Sequence, residues 1–196
     1  MSTLFGRRVV LRPLQAHDFL QWQDVRRRNV DWLTKWEPAR IPGQPDVVED
    51  HDAFNVRCSA RQRERQLGAG YGFGIFVDGT FAGEINVSSV QRGPFQSAYI
   101  GYWIDERHAG RSYVPEALVV VARYCFEELK LHRLQIAIIP RNKASRRVVE
   151  KLQIRDEGTA LHYLEINGVW EDHVRYAITA EDWDDRAEEL LKEWID

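Results

Sequence analysis

The sequence lacks most features that mark secreted, membrane-spanning or nucleic-acid-binding proteins. It has only two cysteines, and Cys125 lies on an apolar helical stripe, which favours free thiols in a reducing compartment over a disulfide with Cys58. It shows no signal peptide and no apolar run of about 18 residues, which predicts a cytoplasmic protein that does not enter a membrane. Its formal net charge is −3, so DNA is not expected as a partner.

What is present is the composition of an ordinary globular domain. Hydrophobic residues make up 44% of the chain and charged residues 29%, the usual balance for a folded protein with a sizeable core. No internal repeat and no low-complexity linker divides the 196 residues. We therefore predict a single domain over residues 1–196, with its core over about residues 8–183.

Hydrophobic periodicity predicts a sheet flanked by helices. Strands are expected over residues 8–12, 73–77, 81–90, 97–104 and 134–139. Two further strands are expected to meet in a hairpin turn at Asn167-Gly168. Helices are expected to begin near residues 17, 47, 113, 142 and 180, and the last one covers 180–195. Residues 29–45 contain three prolines and two tryptophans and are predicted to be a structured loop. This order indicates a mixed α/β (α+β) fold around one sheet.

The segment from Arg107 to Ser112 lies between an aromatic strand and an amphipathic helix. In such a turn the backbone N–H groups of the first helical turn have no partner inside the helix, and the helix dipole adds positive potential. Arg107 and Arg111 add positive charge. The segment therefore predicts a binding site for the phosphates of a ligand.

Three blocks of the sequence resemble those of the GCN5-related N-acetyltransferases (GNAT). The first is Arg107-His108-Ala109-Gly110-Arg111-Ser112, in which serine replaces the glycine or alanine usual at the last position. The second runs from Pro140 to Leu152 and the third from Tyr163 to Val174. The third is similar to the RimJ/RimL-like branch, which acetylates N-terminal amines of ribosomal proteins. The resemblance extends from about Arg8 to Trp183.

This resemblance implies a single GNAT-like domain with a central mixed, mostly antiparallel sheet. It implies acetyl-CoA as cosubstrate, no metal, and direct attack by a protein N-terminal amine in a ternary complex. By the same resemblance the acceptor is the N-terminal alanine of a ribosomal protein, and the enzyme is a monomer or homodimer. Two alternatives stay open. One is acetylation of a small amine such as an antibiotic or polyamine, and the other is a non-catalytic acyl-CoA sensor or ribosome-associated module.

Acetyl-CoA is expected to lie across the turn and the strand before it. A strand that parts from its neighbour offers free N–H and C=O groups to the pantetheine amides, and one N–H can stabilise the oxyanion. Asn142 is predicted to cap its helix, and the resemblance implies that it also touches the CoA arm. The predicted cofactor-binding residues are Ile100, Tyr102, Trp103, Ile104, Arg107, His108, Ala109, Gly110, Arg111, Ser112, Tyr113, Asn142 and Arg146.

Glu84 is the first candidate for a general base, because strand alternation places it beside Asn86 on one face of the sheet. Many family members carry glutamate where this chain has Tyr99, so Tyr99 is a second candidate, acting through water. A third hypothesis is that the reaction needs no strong base, because an α-amine has a pKa of about 7.7–8.0 and is already partly neutral near pH 7. Ser145 heads an apolar stripe of its helix and is the candidate acid or thiol contact. A cysteine nucleophile is not expected.

Carboxylates and aromatic faces attract cations and are therefore expected to line the acceptor site. The predicted substrate-binding residues are Trp32, Trp36 and Glu37 on one wall and Tyr163, Glu165, Trp170 and Asp172 on the other. A two-residue turn at Asn167-Gly168 would pair Leu164 with Glu171 and His162 with His173. No third ligand accompanies these two histidines at a suitable spacing, so no metal site is predicted.

Overall fold

The computed structural model describes residues 3–196 and contains one eight-stranded sheet. The strand order across the sheet is β1-β2-β3-β4-β5-β6-β8-β7. Only β5 and β6 are parallel, and the other neighbouring pairs are antiparallel. The strands are β1 (Leu4–Phe5), β2 (Val9–Arg12), β3 (Tyr71–Val77), β4 (Thr80–Gln91), β5 (Ser97–Ile104), β6 (Arg133–Ile138), β7 (Arg155–Ile166) and β8 (Val169–Thr179). The mixed α/β fold with a mostly antiparallel sheet is thus confirmed.

Helices cover both faces of the sheet. They are α1 (Phe19–Arg28), α2 (Val30–Leu33), α3 (His51–Gln66), α4 (Tyr113–Arg123), α5 (Lys143–Lys151) and α6 (Ala180–Trp194). Short 3-10 turns lie at Ala16–Asp18, Thr34–Trp36 and Glu106–His108, and α4 ends in a π-helical turn at Tyr124–Glu128. Among residues 3–196, no helix has the length and apolar character needed to cross a membrane.

Two apolar clusters fix the helices to the sheet. The larger contains residues 117–122 of α4 together with inward residues of the strands, among them Ile85 and Val87 of β4. The smaller lies under α1 and α3 and includes Trp22, Phe54 and Phe81. Because side chains alternate along a strand, β4 presents Ile85 and Val87 to the larger cluster. Glu84 faces the opposite side, where Trp22 lies.

The parallel pair β5 and β6 separates partway along its length. Ser97 to Tyr99 pair with Arg133 to Gln135, and the pairing stops there. From Ile100 onward β5 therefore presents backbone N–H and C=O groups toward a gap instead of a neighbouring strand. Helix α4 begins beyond the end of β5 and α5 follows β6, so both helix N-termini lie near this gap.

Two boundaries differ from the expectations. Residues 29–45 are not a loop throughout, because α2 forms at Val30–Leu33, ahead of the three prolines, which all follow residue 37. Helix α3 begins at His51 instead of residue 47, because the Asp50 side chain accepts hydrogen bonds from the N–H groups of Asp52 and Ala53 and caps the helix there.

The C-terminal hairpin follows the predicted register only near its turn. Ile166 pairs with Val169 and Leu164 with Glu171, as expected. The pairing of His162 with His173 is wrong, because β7 bulges and His173 pairs with Ala160. His162 adopts a left-handed φ of 46° in this bulge, and its N–H donates to Asp172 Oδ1 at 2.8 Å. No group of three or more His, Cys, Asp or Glu within residues 3–196 is arranged to hold a metal ion.

Candidate active site

The turn after β5 is anchored by a buried carboxylate, Asp105. Its Oδ2 accepts a hydrogen bond from Arg28 at 2.6 Å, and its Oδ1 accepts one from the Asn29 side chain at 2.9 Å. Burial acts to raise the pKa of Asp105, but these hydrogen bonds and one from the Arg107 N–H outweigh it and lower the pKa to about 2. Because Arg28 and Asn29 end α1, this network fixes the turn to the helix on the acceptor side.

Backbone conformation then exposes the N–H groups of the turn. Gly110 and Ser112 have φ values of 76° and 64°, in the left-handed region. A Cβ on Gly110 would meet no atom within 4 Å, so the backbone at this glycine is open to a ligand. Arg8 supports the turn by donating to the carbonyl oxygens of Arg111 and Ser112 at 3.0 and 3.4 Å. Together these features form a cradle for phosphates.

A cavity of about 610 Å³ connects this cradle to the gap between β5 and β6, a size that suits a substantial organic ligand. Many of the predicted residues line it. Those residues are Trp32, Trp36, Glu37, Tyr102, Trp103, Ile104, His108, Ala109, Gly110, Ser112, Tyr113, Asn142 and Ser145. The structure therefore brings the predicted phosphate turn, the β5 strand and part of the predicted acceptor wall into one space.

Four predicted cofactor-binding residues have side chains outside the cavity. Ile100 is only 4% exposed and belongs to the larger apolar cluster. Arg107 and Arg111 are exposed at the turn but do not line the cavity. Arg146 points away, and its Nε donates to the Tyr176 hydroxyl at 3.2 Å.

Helix α5 supplies cavity residues that sequence reasoning missed. Ala144, Arg147, Val148 and Lys151 line the cavity, and their spacing of three, four and seven residues places them on one helix face. That spacing is the signal that would have selected Arg147 in place of Arg146. Lys151 Nζ also donates to the Ser112 hydroxyl at 2.7 Å, which brings a cation to the start of α4.

Tyr102 and Ser145 meet at the wall of the cavity. The Tyr102 hydroxyl donates to the Ser145 carbonyl at 3.0 Å, and the Ser145 hydroxyl donates to the Tyr102 oxygen at 3.3 Å. Burial raises the pKa of Tyr102, with the hydrogen bond from Ser145 acting weakly in the opposite direction. The phenol is therefore protonated at neutral pH, and it would have to turn its proton from the Ser145 carbonyl to donate it to a group in the cavity.

Glu84 lies beside the large cavity and does not line it. Its side chain is 3% exposed, Oε1 accepts a hydrogen bond from Trp22 Nε1 at 2.7 Å, and Oε2 accepts one from Arg57 at 2.5 Å. It belongs instead to the wall of a smaller cavity of about 280 Å³ under α3. Asn86, two residues along β4, lines both cavities, so the two adjoin at this side chain.

The remaining predicted catalytic and acceptor residues lie on the C-terminal hairpin or face it. Tyr163 hydrogen bonds with Tyr99, and burial and this contact raise the pKa of Tyr163. Glu165 and Trp170 are exposed, and 59% of the Trp170 surface is accessible to solvent. Asp172 accepts the His162 N–H. None of these side chains lines the large cavity.

The hairpin nevertheless reaches the opposite acceptor wall. Asn167 at its turn donates to the Thr34 carbonyl at 2.9 Å. Arg141 lies over the Trp36 ring at 5.6 Å and pairs with Glu171 of β8 at 2.6 Å. On the same wall as Trp36, the Trp32 ring N–H donates to the Ile104 carbonyl at 3.0 Å. The hairpin therefore contacts the segment that carries Trp32, Trp36 and Glu37, although its own predicted acceptor side chains do not line the cavity.

Comparison with known proteins agrees with this geometry. Residues 8–155 match the family described as the acetyltransferase (GNAT) domain. The chain therefore belongs to the GNAT acetyltransferases, as the resemblance indicated.

Relatives and solved structures place the chain more narrowly within that family. It is 34% identical to a probable N-acetyltransferase, YjcK, of Bacillus subtilis, with 89% of this chain and 96% of that protein covered. It is 32% identical to the [ribosomal protein uS5]-alanine N-acetyltransferase of Escherichia coli, with 90% of each chain covered. Its fold matches Mycobacterium smegmatis RimJ in complex with CoA-disulfide, with a TM-score of 0.87, 32% identity, and 98% and 92% of the two chains covered.

Proposed function

We propose that the protein is an acetyl-CoA-dependent N-acetyltransferase that modifies the N-terminal amine of a protein, with the N-terminal alanine of a ribosomal protein as acceptor. The observation that carries this proposal is the single cavity that joins the phosphate cradle, the open edge of β5 and the Tyr102–Ser145 pair. The similarity to the uS5-alanine acetyltransferase and to RimJ supports the choice of acceptor.

The residues present fit acetyl-CoA. The turn around Gly110, together with Arg147 and Lys151, would hold the pyrophosphate. The free edge of β5 from Ile100 to Ile104 would pair with the pantetheine amides, and one N–H there would stabilise the oxyanion. Bound acetyl-CoA supplies a thioester whose carbonyl carbon accepts the amine.

In the proposed reaction the neutral amine forms a C–N bond with the acetyl carbonyl carbon, the C–S bond breaks, and the proton that the nitrogen loses passes to solvent water. Tyr102 donates a proton toward the departing thiolate, and Ser145 orients the phenol. The reaction proceeds by direct attack, because burial raises the pKa of both Cys58 and Cys125 and keeps these thiols protonated.

We propose that the amine attacks without a strong side-chain base. Glu84 is held by Trp22 and Arg57, and Tyr99 is hydrogen bonded to Tyr163. An α-amine has a pKa of about 7.7–8.0, so an appreciable fraction is already neutral near pH 7, whereas a lysine amine at about 10.4 is almost fully protonated. This difference favours an N-terminal acceptor over a lysine side chain.

The test is CoA release from acetyl-CoA with three acceptors. They are a peptide beginning with alanine, the same peptide with a blocked N-terminus and an internal lysine, and a polyamine. Release with the free alanine peptide alone is expected. Release with the polyamine alone would show that the acceptor is a small amine and not a peptide N-terminus. No release, with acetyl-CoA still bound, would favour a non-catalytic sensor.

A further inference from the structure

The smaller cavity under α3 is basic and lies on the acceptor side of the sheet. Its charged lining residues are Arg57, Arg61 and Arg65 of α3 and Glu84 of β4. Arg57 pairs with Glu84 and Arg61 with the neighbouring Glu64, whereas Arg65 has no carboxylate partner within residues 3–196, which leaves an excess of positive charge. The three arginines recur every four residues, so one face of α3 presents them together.

Each arginine is oriented by a bond that leaves further donors. Arg57 bonds to Glu84 at 2.5 Å, Arg61 to Glu64 at 3.0 Å, and Arg65 to the Gly72 carbonyl at 3.1 Å. A guanidinium carries five N–H donors in a planar fork that matches a carboxylate. The wall is therefore suited to a carboxylate ligand.

The cavity also contains two side-chain amide oxygens, which accept hydrogen bonds, whereas the arginines donate them. Asn55 Oδ1 and Asn86 Oδ1 are buried and have no hydrogen-bond partner within residues 3–196, and both residues line this cavity. Such buried acceptors need donors. A simple anion has none to offer, whereas a peptide supplies backbone N–H groups as well as a carboxylate.

Gly72 lets two side chains that line this cavity pack closely against the backbone. A Cβ at Gly72 would lie 2.9 Å from Asn86 Oδ1 and 3.5 Å from Arg61 Cδ. Because there is no side chain at this position, the Asn86 amide and the Arg61 stem approach each other across the glycine. Asn86 also lines the large cavity, so the two cavities adjoin here, and a chain whose amine is acetylated in the large one would have to pass Asn86 to reach Arg61.

We propose that the smaller cavity binds the residues that follow the acceptor N-terminus and selects an acidic side chain among them. This inference rests on the proposed function and specifies its substrate class. The side-chain carboxylate binds the guanidinium of Arg61, with Arg57 and Arg65 adding positive charge. The peptide N–H groups donate to Asn55 and Asn86. The protein therefore acetylates N-termini with Asp or Glu close behind the first residue in preference to their amide counterparts.

The experiment uses a neutral alanine peptide and versions with a single Asp or Asn at position 2, 3 or 4. The kcat and KM values are measured by CoA release. At the preferred position the Asp peptide should have a KM about tenfold below that of the Asn peptide, since a charge-assisted hydrogen bond contributes about this factor. Equal KM values for Asp and Asn at every position, with all peptides acetylated, would overturn this inference and leave the proposed function intact. Acetylation of none of the peptides would instead contradict the proposed function.

Variants of α3 locate the effect. Arg61→Gln should raise the KM of the Asp peptide about tenfold, with kcat and the KM of the Asn peptide unchanged, and Arg61→Lys should restore part of the preference. Arg63→Gln is the matched control, because Arg63 is exposed on the same helix and lies outside the cavity. If both variants raised the KM of the Asp peptide equally, the cause would be the general charge of the helix, and the proposed binding site would be contradicted. Faster acetylation of free glutamate than of the Asp peptide would overturn the peptide assignment.

Discussion

The two neighbouring cavities are built in different ways. The cofactor end of the large one depends on backbone: a turn with left-handed residues, the N-terminus of α4, and a strand edge exposed where β5 leaves β6. The small one is formed by side chains, namely the arginines of α3, Glu84 and two asparagines. Backbone geometry suits a ligand that is the same in every turnover. Side chains are the part that can select among acceptors without disturbing cofactor binding.

The largest expected effect on the rate comes from removing the Tyr102 hydroxyl in the large cavity. Tyr102→Phe removes the hydroxyl that bonds to Ser145 and should lower kcat about a hundredfold, the usual contribution of a general acid. The KM for acetyl-CoA should change little, because the ring remains. Steady-state kinetics with the alanine peptide measures both values. A kcat within about twofold of the parent would remove Tyr102 as the acid.

Asp105→Asn tests how firmly the turn is anchored. The lowered pKa of Asp105, about 2, means that its charge stabilises the fold at pH values above the unfolded-state pKa of about 3.9. The parent should exceed the variant in unfolding free energy by about 2 kcal/mol at pH 7.

That difference should shrink as the pH falls from about 4 toward 2, because the carboxylate becomes protonated. Urea unfolding at several pH values provides the measurement. A difference independent of pH would assign the loss to packing instead of to the Asp105 charge.

Arg147→Gln and Arg146→Gln form a matched pair on α5. Only Arg147 lines the cavity, whereas Arg146 bonds to the Tyr176 hydroxyl outside it. Arg147→Gln should raise the KM for acetyl-CoA about three- to tenfold, the range for losing one exposed cation beside a phosphate. Arg146→Gln should leave that KM unchanged. The reverse result would restore Arg146 as the cofactor contact.

The smallest effect on rate is expected at Glu84. Glu84→Gln keeps the acceptor for Trp22 but weakens the bond to Arg57, so it should lower the unfolding free energy by about 1–3 kcal/mol. The kcat with an alanine peptide should fall by less than about threefold. Thermal unfolding and a pH–rate profile are measured together. A loss of about a thousandfold in kcat with the fold intact would establish Glu84 as the general base.

Sequence reasoning succeeded where a feature is local. The turn from Arg107 to Ser112 and the hairpin at Asn167-Gly168 depend on the conformations of a few adjacent residues. The strand alternation that separates Glu84 from Ile85 needs only the period of two. The same reasoning failed at His162, because a bulge inserts extra residues into β7 and nothing in the alternation marks it.

The sequence by itself determined the order of the elements and the turn from Arg107 to Ser112, because both depend on neighbouring residues and their periodicity, and three of its blocks carried the resemblance to the acetyltransferase family. Only the tertiary structure decided which side chains meet. Trp22 and Glu84 are 62 residues apart, Arg57 and Glu84 are 27 apart, and Tyr102 and Ser145 are 43 apart. Contacts over such separations depend on how helices pack on the sheet. That packing assigned Glu84 to the basic cavity, Arg147 to the large cavity and Asn86 to the junction between them.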